Sequence, residues 1–305
     1  MNLINNKRGL VTKKFNNFFY VDILDPDYVN EVTRYLCKSR KSIFYKKNLI
    51  FVGDEVMVSN INKIAKTATI ESLLKRKNLL LRPAVANISD IYIINSVSEP
   101  KLNYAQLSDF LINAESLQVK VSLILTKSDL ISYKENIFLY EKFKNWGYEP
   151  RIFSLTSSPR LTGFIDELSK KKCSIFVGPS GVGKTSLLNL IIPNLNRATS
   201  AISNKIKRGK NTTRNIELFR LSKENYIVDT PGFNIKNKYI EPREISHLFP
   251  EINSQINENT LNCKFRNCLH IDEPGCNLNK DFERYEFYKN HIQNTMIRYP
   301  QNQGD

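Results

Sequence analysis

Long apolar runs are absent from this sequence of 305 residues. No segment approaches the roughly 18 consecutive apolar residues that a membrane-spanning helix requires. Residues 1–14 also lack the uninterrupted apolar stretch of a signal peptide. We therefore expect a cytoplasmic protein.

Cysteine is also scarce, and its distribution argues against a disulfide framework. The chain has five cysteines, and Cys263, Cys268 and Cys276 lie in one short segment with His270. In a reducing compartment such a cluster indicates a metal site rather than disulfides. Cys37 and Cys173 stand alone, and we interpret them as packing residues.

Acidic residues are few relative to basic ones. The 45 Lys and Arg outnumber the 30 Asp and Glu, for a formal charge of +15. This balance favours RNA, DNA or an anionic membrane as partner, although a solvated basic surface without any such partner gives the same count. The length and the 41% hydrophobic content predict two or three domains.

The pattern of apolar residues changes along the chain and predicts three domains, at residues 1–68, 69–235 and 236–305. In the first, short β-rich runs between turn signals predict a small β-barrel; they are Phe18–Ile23, Ser42–Tyr45 and Glu55–Val58. In the second, apolar strands alternate with amphipathic helices, which indicates a parallel sheet covered on both faces. Those strands are Ile91–Asn95, Val121–Thr126, Cys173–Val177 and Tyr226–Val228. The third is polar and then cysteine-rich.

Two helices of the second domain are predicted from apolar residues that recur on one face. One carries Leu107, Phe110, Leu111, Ala114 and Leu117. The other carries Leu139, Phe143 and Trp146 and ends at Gly147.

A phosphate-binding loop is the strongest motif. Residues Gly178-Pro179-Ser180-Gly181-Val182-Gly183-Lys184-Thr185 match the Walker A pattern between a strand and a helix predicted over Ser186–Ile192. Glycines let successive N–H groups face the β-phosphate, while Lys184 reaches the β- and γ-oxygens and Thr185 ligates Mg²⁺. The alternative is a glycine-rich strand-to-helix turn without a ligand, which the further nucleotide-binding motifs of this chain disfavour.

A second motif, Asp229-Thr230-Pro231-Gly232, follows an apolar strand. Ligands of parallel-sheet proteins bind at the carboxyl ends of strands, so Asp229 is expected to hold Mg²⁺ through water and the Gly232 N–H to contact the γ-phosphate. Between the two motifs lies the basic stretch Arg208–Arg214. There Thr212 or Thr213 is a candidate to complete the magnesium shell, although alone the stretch is typical of a solvated loop.

A guanine-binding motif is predicted at Thr126-Lys127-Ser128-Asp129, a variant of NKxD. The Asp129 carboxylate would accept two hydrogen bonds from guanine that adenine cannot donate, and the Lys127 stem would lie along the base. Thr126 replaces the usual Asn and is expected to lose some contacts that brace this loop. The alternative interpretation is a helix N-cap at Ser128 or Asp129.

The order of these motifs is unusual. In an ordinary small GTPase the base motif follows the phosphate loop, whereas here residues 126–129 precede residues 178–185. The pattern therefore indicates a circularly permuted P-loop GTPase, because new termini can open at a surface loop without disturbing the sheet.

The cysteine cluster has the spacing C-x4-C-x-H-x5-C. Three thiolates and an imidazole suit tetrahedral Zn²⁺ with no open position, which predicts a structural site at Cys263, Cys268, His270 and Cys276. A redox-sensing cluster or a chance grouping are the alternatives.

The chain resembles the RsgA/YjeQ family of circularly permuted GTPases that act in maturation of the small ribosomal subunit. The resemblance rests on the phosphate loop, DTPGF, the cysteine cluster and three further segments: Val52–Val56, Arg82–Asn87 and Leu248–Glu251. It implies an OB-fold barrel that binds RNA, an α/β GTPase domain and a C-terminal α-helical zinc-binding domain with one structural zinc ion. From the residues themselves, the metal-held loop beside Lys264 and Arg266, together with residues 284–288, is expected to dock on RNA through phosphate contacts and stacking.

One departure from the family concerns the attacking water. Asn211 stands where the family commonly has a His, and Phe233 stands where many GTPases have a water-orienting Gln. Asn211 is a candidate catalytic residue that cannot carry a proton, so hydrolysis by positioning alone or with a group from the ribosome is favoured.

The predicted function is hydrolysis of GTP to GDP with Mg²⁺ by a monomer that binds ribosomal RNA and acts late in small-subunit maturation, with no membrane as partner. One alternative is a GTPase that serves a membrane or another RNA. The other is a non-catalytic or very slow RNA scaffold that holds GTP as a structural ligand.

Overall fold

The N-terminal part of the chain forms a closed five-stranded barrel. The structure, a computed structural model, describes residues 6–25, 31–40, 49–157, 161–192, 216–229, 240–258 and 261–298. The barrel strands follow the order β1-β2-β3-β5-β4, and antiparallel pairing of β1 with β4 closes the ring. They are β1 (Lys7–Phe15), β2 (Phe18–Asp25), β3 (Glu31–Ser39), β4 (Glu55–Asn62) and β5 (Thr67–Leu73).

The barrel confirms the predicted all-β domain. Alternating side chains of its strands, among them Val11, Val21, Val56 and Ile70, are fully buried and fill the interior. The predicted strands at 18–23 and 55–58 are present, whereas the one at 42–45 lies outside the described residues. The boundary predicted at residue 68 falls within β5, which pairs with β3 and β4.

A mostly parallel sheet follows the hairpin β6 (Leu79–Leu81) and β7 (Ala84–Ala86). Its strand order is β10-β9-β8-β11-β13-β12, in which β12 alone of these described strands is antiparallel to its neighbour. The strands are β8 (Asp90–Ser96), β9 (Lys120–Thr126), β10 (Arg151–Phe153), β11 (Cys173–Val177), β12 (Glu217–Arg220) and β13 (Tyr226–Asp229). The carboxyl ends of the five parallel strands therefore share one edge.

Seven helices accompany these strands within the part of the chain that the structure describes. They are α1 (Tyr104–Glu115), α2 (Tyr133–Asn145), α3 (Thr162–Leu168), α4 (Lys184–Ile191), α5 (Pro242–Ile245), α6 (Pro250–Asn257) and α7 (Tyr285–Arg298). None of these described helices is both long and apolar enough to cross a membrane. Two buried clusters lie on the sheet: one contains the apolar face of α1 and α2, and the other contains α3 and α4.

The predicted helix faces are present, with small differences at the ends. Leu107, Phe110, Leu111 and Ala114 of α1 are buried, and Leu117 packs against the same cluster just beyond the helix. Helix α2 is followed by Gly147, whose φ of +86° is in the left-handed region. Helix α4 begins at Lys184, earlier than predicted, because the preceding Gly183 has a φ of +93° and already turns the chain into the helix.

Barrel and parallel sheet are hydrogen-bonded to each other. Strand β1 pairs with β12 at Lys13 and Glu217, so the two sheets form one continuous set of eleven strands. The C-terminal helices pack against α1, whose Ile112 joins a buried cluster with Ile245, Phe249 and Ile292.

Candidate nucleotide and metal sites

The phosphate loop lies at the carboxyl edge of the sheet, directly after β11. Its glycines are needed for its shape, because Gly178, Gly181 and Gly183 have φ values of +150°, +81° and +93°. A Cβ atom at Gly178 would lie 2.0 Å from the carbonyl oxygen of Ile94, so a larger residue would separate β11 from β8. The loop therefore has the tight curvature that brings backbone N–H groups toward one point.

The side chains of this loop are arranged for phosphate binding. The buried ammonium group of Lys184 donates to the carbonyl oxygens of Gly178 at 2.8 Å and Pro179 at 2.5 Å, within the loop itself. Thr185 and Ser186, in the first turn of α4, are exposed. Because α4 begins here, its free N–H groups and partial positive charge face any anion held in the loop.

The predicted base motif lies beside the phosphate loop. Thr126 ends β9, in register with Ser96 of β8 and Phe153 of β10. Its buried hydroxyl group is 2.6 Å from the Val182 carbonyl oxygen of the phosphate loop and 3.2 Å from the Asn95 carbonyl oxygen. The expected loss of bracing contacts is therefore incomplete, because the hydroxyl group of Thr126 still ties the base motif to the phosphate loop.

The geometry after Thr126 does not fit the N-cap interpretation. Residues Ser128–Leu130 form one 3₁₀ turn with no side-chain cap, while α2 is capped by Ser132 in a capping box with Glu135. The Asp129 carboxylate is exposed at this edge. Lys127 has a φ of +61°, and its ammonium group donates to the carbonyl oxygen of Glu99.

Two further loops at this edge escaped the sequence analysis. Residues 154–157 follow β10, and the Ser154 hydroxyl group accepts from the N–H groups of Thr156 and Ser157 at 3.2 and 3.1 Å. A Cβ atom on Gly183 would lie 3.1 Å from Leu155, so this loop abuts the phosphate loop. After β8, the Ser96 hydroxyl group accepts in the same way from Glu99 at 2.9 Å. The available signal was position alone: both loops directly follow parallel strands.

Some predicted residues are not covered by the structure. Strand β13 carries the backbone of Asp229 to the same edge, but its side chain is outside the described residues. Asn211, Thr212, Thr213, Gly232 and Phe233 also lie outside them.

The second candidate site contains the four predicted metal ligands. The ligand atoms of Cys263, Cys268, His270 and Cys276 all lie within 4.8 Å of one another. His270 Nδ1 is 3.5 Å from the sulfur of Cys263 and 3.7 Å from that of Cys276, and these two sulfurs are 4.0 Å apart. Tetrahedral coordination at thiolate distances of about 2.3 Å puts neighbouring sulfurs roughly 3.8 Å apart, so the donor set fits a metal ion.

The histidine of this cluster is held in place from outside. Burial lowers the pKa of His270, which favours the neutral ring that a metal ligand needs. The Glu273 carboxylate accepts from the N–H groups of Leu269 and Ile271, the two neighbours of His270 in sequence, at 2.7 and 2.9 Å. From α7, the hydroxyl groups of Tyr285 and Tyr288 donate to the carbonyl oxygens of His270 and Leu269 at 3.0 and 2.6 Å. No motif in the sequence identifies these supporting residues.

Comparison with known proteins identifies the family. The RsgA GTPase family model matches residues 73–237. A protein of Prochlorococcus marinus (strain NATL1A), named small ribosomal subunit biogenesis GTPase RsgA, is 40% identical over 98% of this chain and 97% of its own length. The chain belongs to the RsgA GTPase family. A second RsgA, from Parasynechococcus marenigrum, is 35% identical over 93% of this chain and 94% of its own length.

Solved structures are similar to this RsgA family member along nearly its whole length. YjeQ from Thermotoga maritima has a TM-score of 0.78 at 28% identity, covering 95% of this chain and 99% of its own. YloQ, described as a circularly permuted GTPase, has a TM-score of 0.77 at 27% identity and covers 99% of both chains. The expected fold, a barrel followed by a permuted GTPase domain and a cysteine–histidine cluster, is confirmed.

One expectation drawn from the residue pattern is wrong. Arg284 and Tyr288 were expected to contact RNA, but both side chains are fully buried. Arg284 pairs with Glu251 of α6 through Nε at 2.7 Å, and Tyr288 packs against Phe249. In this RsgA family member Arg284 and Tyr288 therefore stabilise the C-terminal fold, whereas Lys264, Phe265 and Arg266 beside the metal cluster are exposed.

Proposed function

We propose that this chain hydrolyses GTP to GDP in late maturation of the small ribosomal subunit. The observation that carries the proposal is the hydrogen bond of 2.6 Å between Thr126 and Val182, which unites the base motif and the phosphate loop at one sheet edge. The names of the RsgA relatives support the ribosomal role.

The phosphate part of the site is assigned to the loop from Gly178 to Ser186. Backbone N–H groups of this loop and of the first turn of α4 would bind the phosphates, and the ammonium group of Lys184 would move from its carbonyl partners to the β- and γ-oxygens. Thr185 and Thr212 or Thr213 would hold Mg²⁺, with Asp229 acting through water. The bound ion would supply charge neutralisation, and the Gly232 N–H would contact the γ-phosphate.

The base part is assigned to Thr126, Lys127, Ser128 and Asp129. The exposed Asp129 carboxylate would accept from the N1–H and N2–H₂ groups of guanine. Thr126 would act indirectly, because its side chain is fully buried and its hydroxyl group faces protein carbonyls. Selectivity for guanine over adenine follows from the two donors that adenine lacks.

Slow turnover of the isolated protein is part of the proposal. Asn211 and Phe233 stand where water-positioning His and Gln residues are common, and neither can take up a proton from water. Docking on the ribosome would then supply the missing positioning of the attacking water.

The metal cluster is assigned one structural Zn²⁺. Three sulfurs and one imidazole nitrogen within 4.8 Å satisfy the ion completely, which leaves no position for substrate. The ion would fix the loop that exposes Lys264, Phe265 and Arg266, and this loop is a candidate for contact with ribosomal RNA phosphates and bases.

The barrel is the second candidate contact with ribosomal RNA, since barrels of this type bind oligonucleotides. We place its boundary at the end of β5, after Leu73, and keep the predicted boundary at residue 235 before the zinc-binding domain. The protein would act as a cytoplasmic monomer.

Co-sedimentation with purified small ribosomal subunits tests the ribosomal part of the proposal. The protein should pellet with the subunits in a non-hydrolysable GTP analogue and stay largely in solution in GDP. Raising the salt concentration should weaken pelleting, because Lys and Arg contacts to RNA release counterions. Equal pelleting in both nucleotides, or none in either, would contradict nucleotide-controlled binding to this partner.

A further inference from the structure

The backbone of the base motif is strained and needs support from the surrounding fold. Lys127 has a φ of +61°, in the left-handed region that costs a residue with a side chain roughly 1–2 kcal/mol. Within the motif, the Leu130 N–H group donates to the Lys127 carbonyl oxygen at 3.0 Å. One internal bond is little to hold such a turn, so contacts from neighbouring elements must fix its conformation.

Asn136 of α2 supplies such a contact. Its side-chain amide donates to the Ser128 carbonyl oxygen at 3.1 Å and to the Ser132 carbonyl oxygen, one turn earlier in the helix, at 3.2 Å. These two bonds match the two N–H groups that the amide can donate. One side chain therefore connects the third residue of the base motif to the capped N-terminus of α2.

The oxygen of the same amide indicates that Asn136 is not explained by stability alone. The Asn136 Oδ1 atom is buried and accepts no hydrogen bond from the residues that the structure describes. A buried acceptor without a partner costs about 1–3 kcal/mol, which an apolar side chain of similar size would avoid. Such a local cost is expected where a residue serves a binding site.

The contact at Ser128 bears directly on Asp129. The peptide bond between these two residues is planar, so fixing the direction of the Ser128 carbonyl group also fixes the N–H group and the Cα atom of Asp129. From there the exposed Asp129 side chain must direct its carboxylate toward the two neighbouring donors of guanine. Two simultaneous hydrogen bonds require a definite orientation of the carboxylate, whereas a single bond tolerates a rotated one.

We propose that Asn136 is a positioning residue for guanine recognition, which orients the Asp129 carboxylate through the peptide bond between Ser128 and Asp129. The proposal rests on the GTPase function proposed above and, within it, on the base site assigned to Asp129. It makes the first turns of α2 a part of the guanine pocket, although Asn136 acts through the backbone and not by touching the base.

The test compares the affinities of GDP and IDP for Asn136→Leu and for the parent chain, by competition with a fluorescent GDP derivative. IDP carries the N1–H donor of guanine but lacks the N2 amino group, so it can make only one of the two bonds to Asp129. In Asn136→Leu the dissociation constant of GDP should rise about tenfold, the worth of one hydrogen bond to a charged group. That of IDP should rise no more than about twofold, because its single bond survives a rotated carboxylate. The preference for GDP over IDP should therefore fall about fivefold.

This preference separates positioning from a merely structural role, because a loosened fold would weaken GDP and IDP equally. Asn113→Leu is the matched control. The Asn113 amide makes the same bond four residues back, to the Asp109 carbonyl oxygen at 2.7 Å, in the part of α1 that leads to the amino ends of the strands. Asn113→Leu should keep both dissociation constants within about twofold of the parent values. A lowered GDP preference there as well would contradict the proposal.

Asn136→Asp removes the donor without changing the shape of the side chain. It should fold, because a negative charge near the N-terminus of a helix is favourable, and it should lower the preference for GDP as Asn136→Leu does. Thermal unfolding checks both variants. An unchanged preference in either folded variant, or loss of folding in both, would overturn the positioning role while leaving the GTPase function intact. A parent chain with no preference for GDP over IDP or ADP would instead overturn the base site and with it the proposed function.

Discussion

A single hydroxyl group joins the two halves of the proposed nucleotide site. Thr126 occupies the place of the usual Asn in the base motif, and its side chain is buried against the Val182 carbonyl oxygen at 2.6 Å. A hydroxyl group has one proton to donate, whereas an amide has two. Thr126 therefore braces the two loops with fewer donated hydrogen bonds than an Asn could make.

Thr126→Val tests this brace, because valine has nearly the same shape and no donor. The buried carbonyl oxygen of Val182 would lose its partner, which costs roughly 1 kcal/mol and should weaken GDP binding about fivefold to tenfold. Titration with a fluorescent GDP derivative measures the change. Thr126→Ser keeps the hydroxyl group and serves as control. Equal affinity of the Val and Ser variants would contradict the assigned role.

Residues of the phosphate loop could be predicted from sequence, whereas the contacts of Thr126 could not. The spacing of glycines and Lys184 is itself the condition for phosphate binding, so the motif names its own residues. The partner of Thr126 lies 56 positions away and becomes its neighbour only because β9, β8 and β11 are adjacent in the sheet. Local patterns carry no information about such a contact.

At the scale of elements, one buried arginine fixes the C-terminal helices to the GTPase domain. The guanidinium of Arg284 pairs with Glu251 of α6 and donates to the Trp146 carbonyl oxygen at 3.4 Å. It also lies 5.0 Å from the ring of Trp146 and 4.8 Å from that of Phe249. The lack of a side chain at Gly147 permits this close packing, because a Cβ atom there would lie 2.4 Å from Pro250.

Arg284→Met should detach this interface. The Glu251 carboxylate would remain buried without its partner, a change that costs about 3–5 kcal/mol. The unfolding transition of the C-terminal helices should move to lower temperature. Fluorescence should follow it, because Trp146 is the single tryptophan of the chain and lies at this contact.

The exposed Arg266→Met is the control for lost positive charge and should leave both signals unchanged. An Arg284→Met protein with the parent unfolding temperature and fluorescence would contradict the role of this ion pair.

The sequence suggested an exposed location for Arg284, because an arginine among aromatic residues is typical of RNA-binding surfaces as well as of buried cation–π contacts. The arrangement of α6 and α7 decides between them.

At the scale of the whole molecule, the metal cluster is separate from the other cores. The barrel and the two faces of the parallel sheet each have their own buried cluster. The cysteine–histidine loop packs on a fourth cluster, which the C-terminal helices form with Ile112 of α1, and it also depends on hydrogen bonds from α7 and on the proposed ion. Loss of the ion should therefore disturb the C-terminal domain and leave the rest folded.

Elemental analysis should find one zinc per chain, and chelation should reduce the ordered structure of the C-terminal domain without abolishing GDP binding. Cys268→Ser should lower the zinc content, because the thiolate is the better ligand. Cys37→Ala, in the barrel core, is the control and should keep the ion. A protein without zinc, or a Cys268→Ser protein with full zinc content, would contradict the site.

The permuted order of motifs has a consequence for the whole chain. Strands β8, β9 and β10 precede the phosphate-loop strand β11 in sequence. In the sheet all four lie side by side, with their carboxyl ends at the edge that carries the site. The position of β9 could be predicted because the base motif follows it directly, whereas β8 and β10 carry no motif of their own. The attachment of β12 to the barrel could not, since it depends on one paired residue in β1.

Under the proposed function, this chain is a GTPase whose turnover depends on the small ribosomal subunit. The direct test is the steady-state rate of GTP hydrolysis by the purified protein, alone and with saturating subunits at low salt. Lys184→Ala should be inactive in both conditions while remaining folded.

We predict slow hydrolysis by the protein alone and an increase of at least about tenfold with subunits, equivalent to about 1.4 kcal/mol of barrier. Fast hydrolysis by the isolated protein, or a rate unchanged by saturating subunits, would contradict the claim.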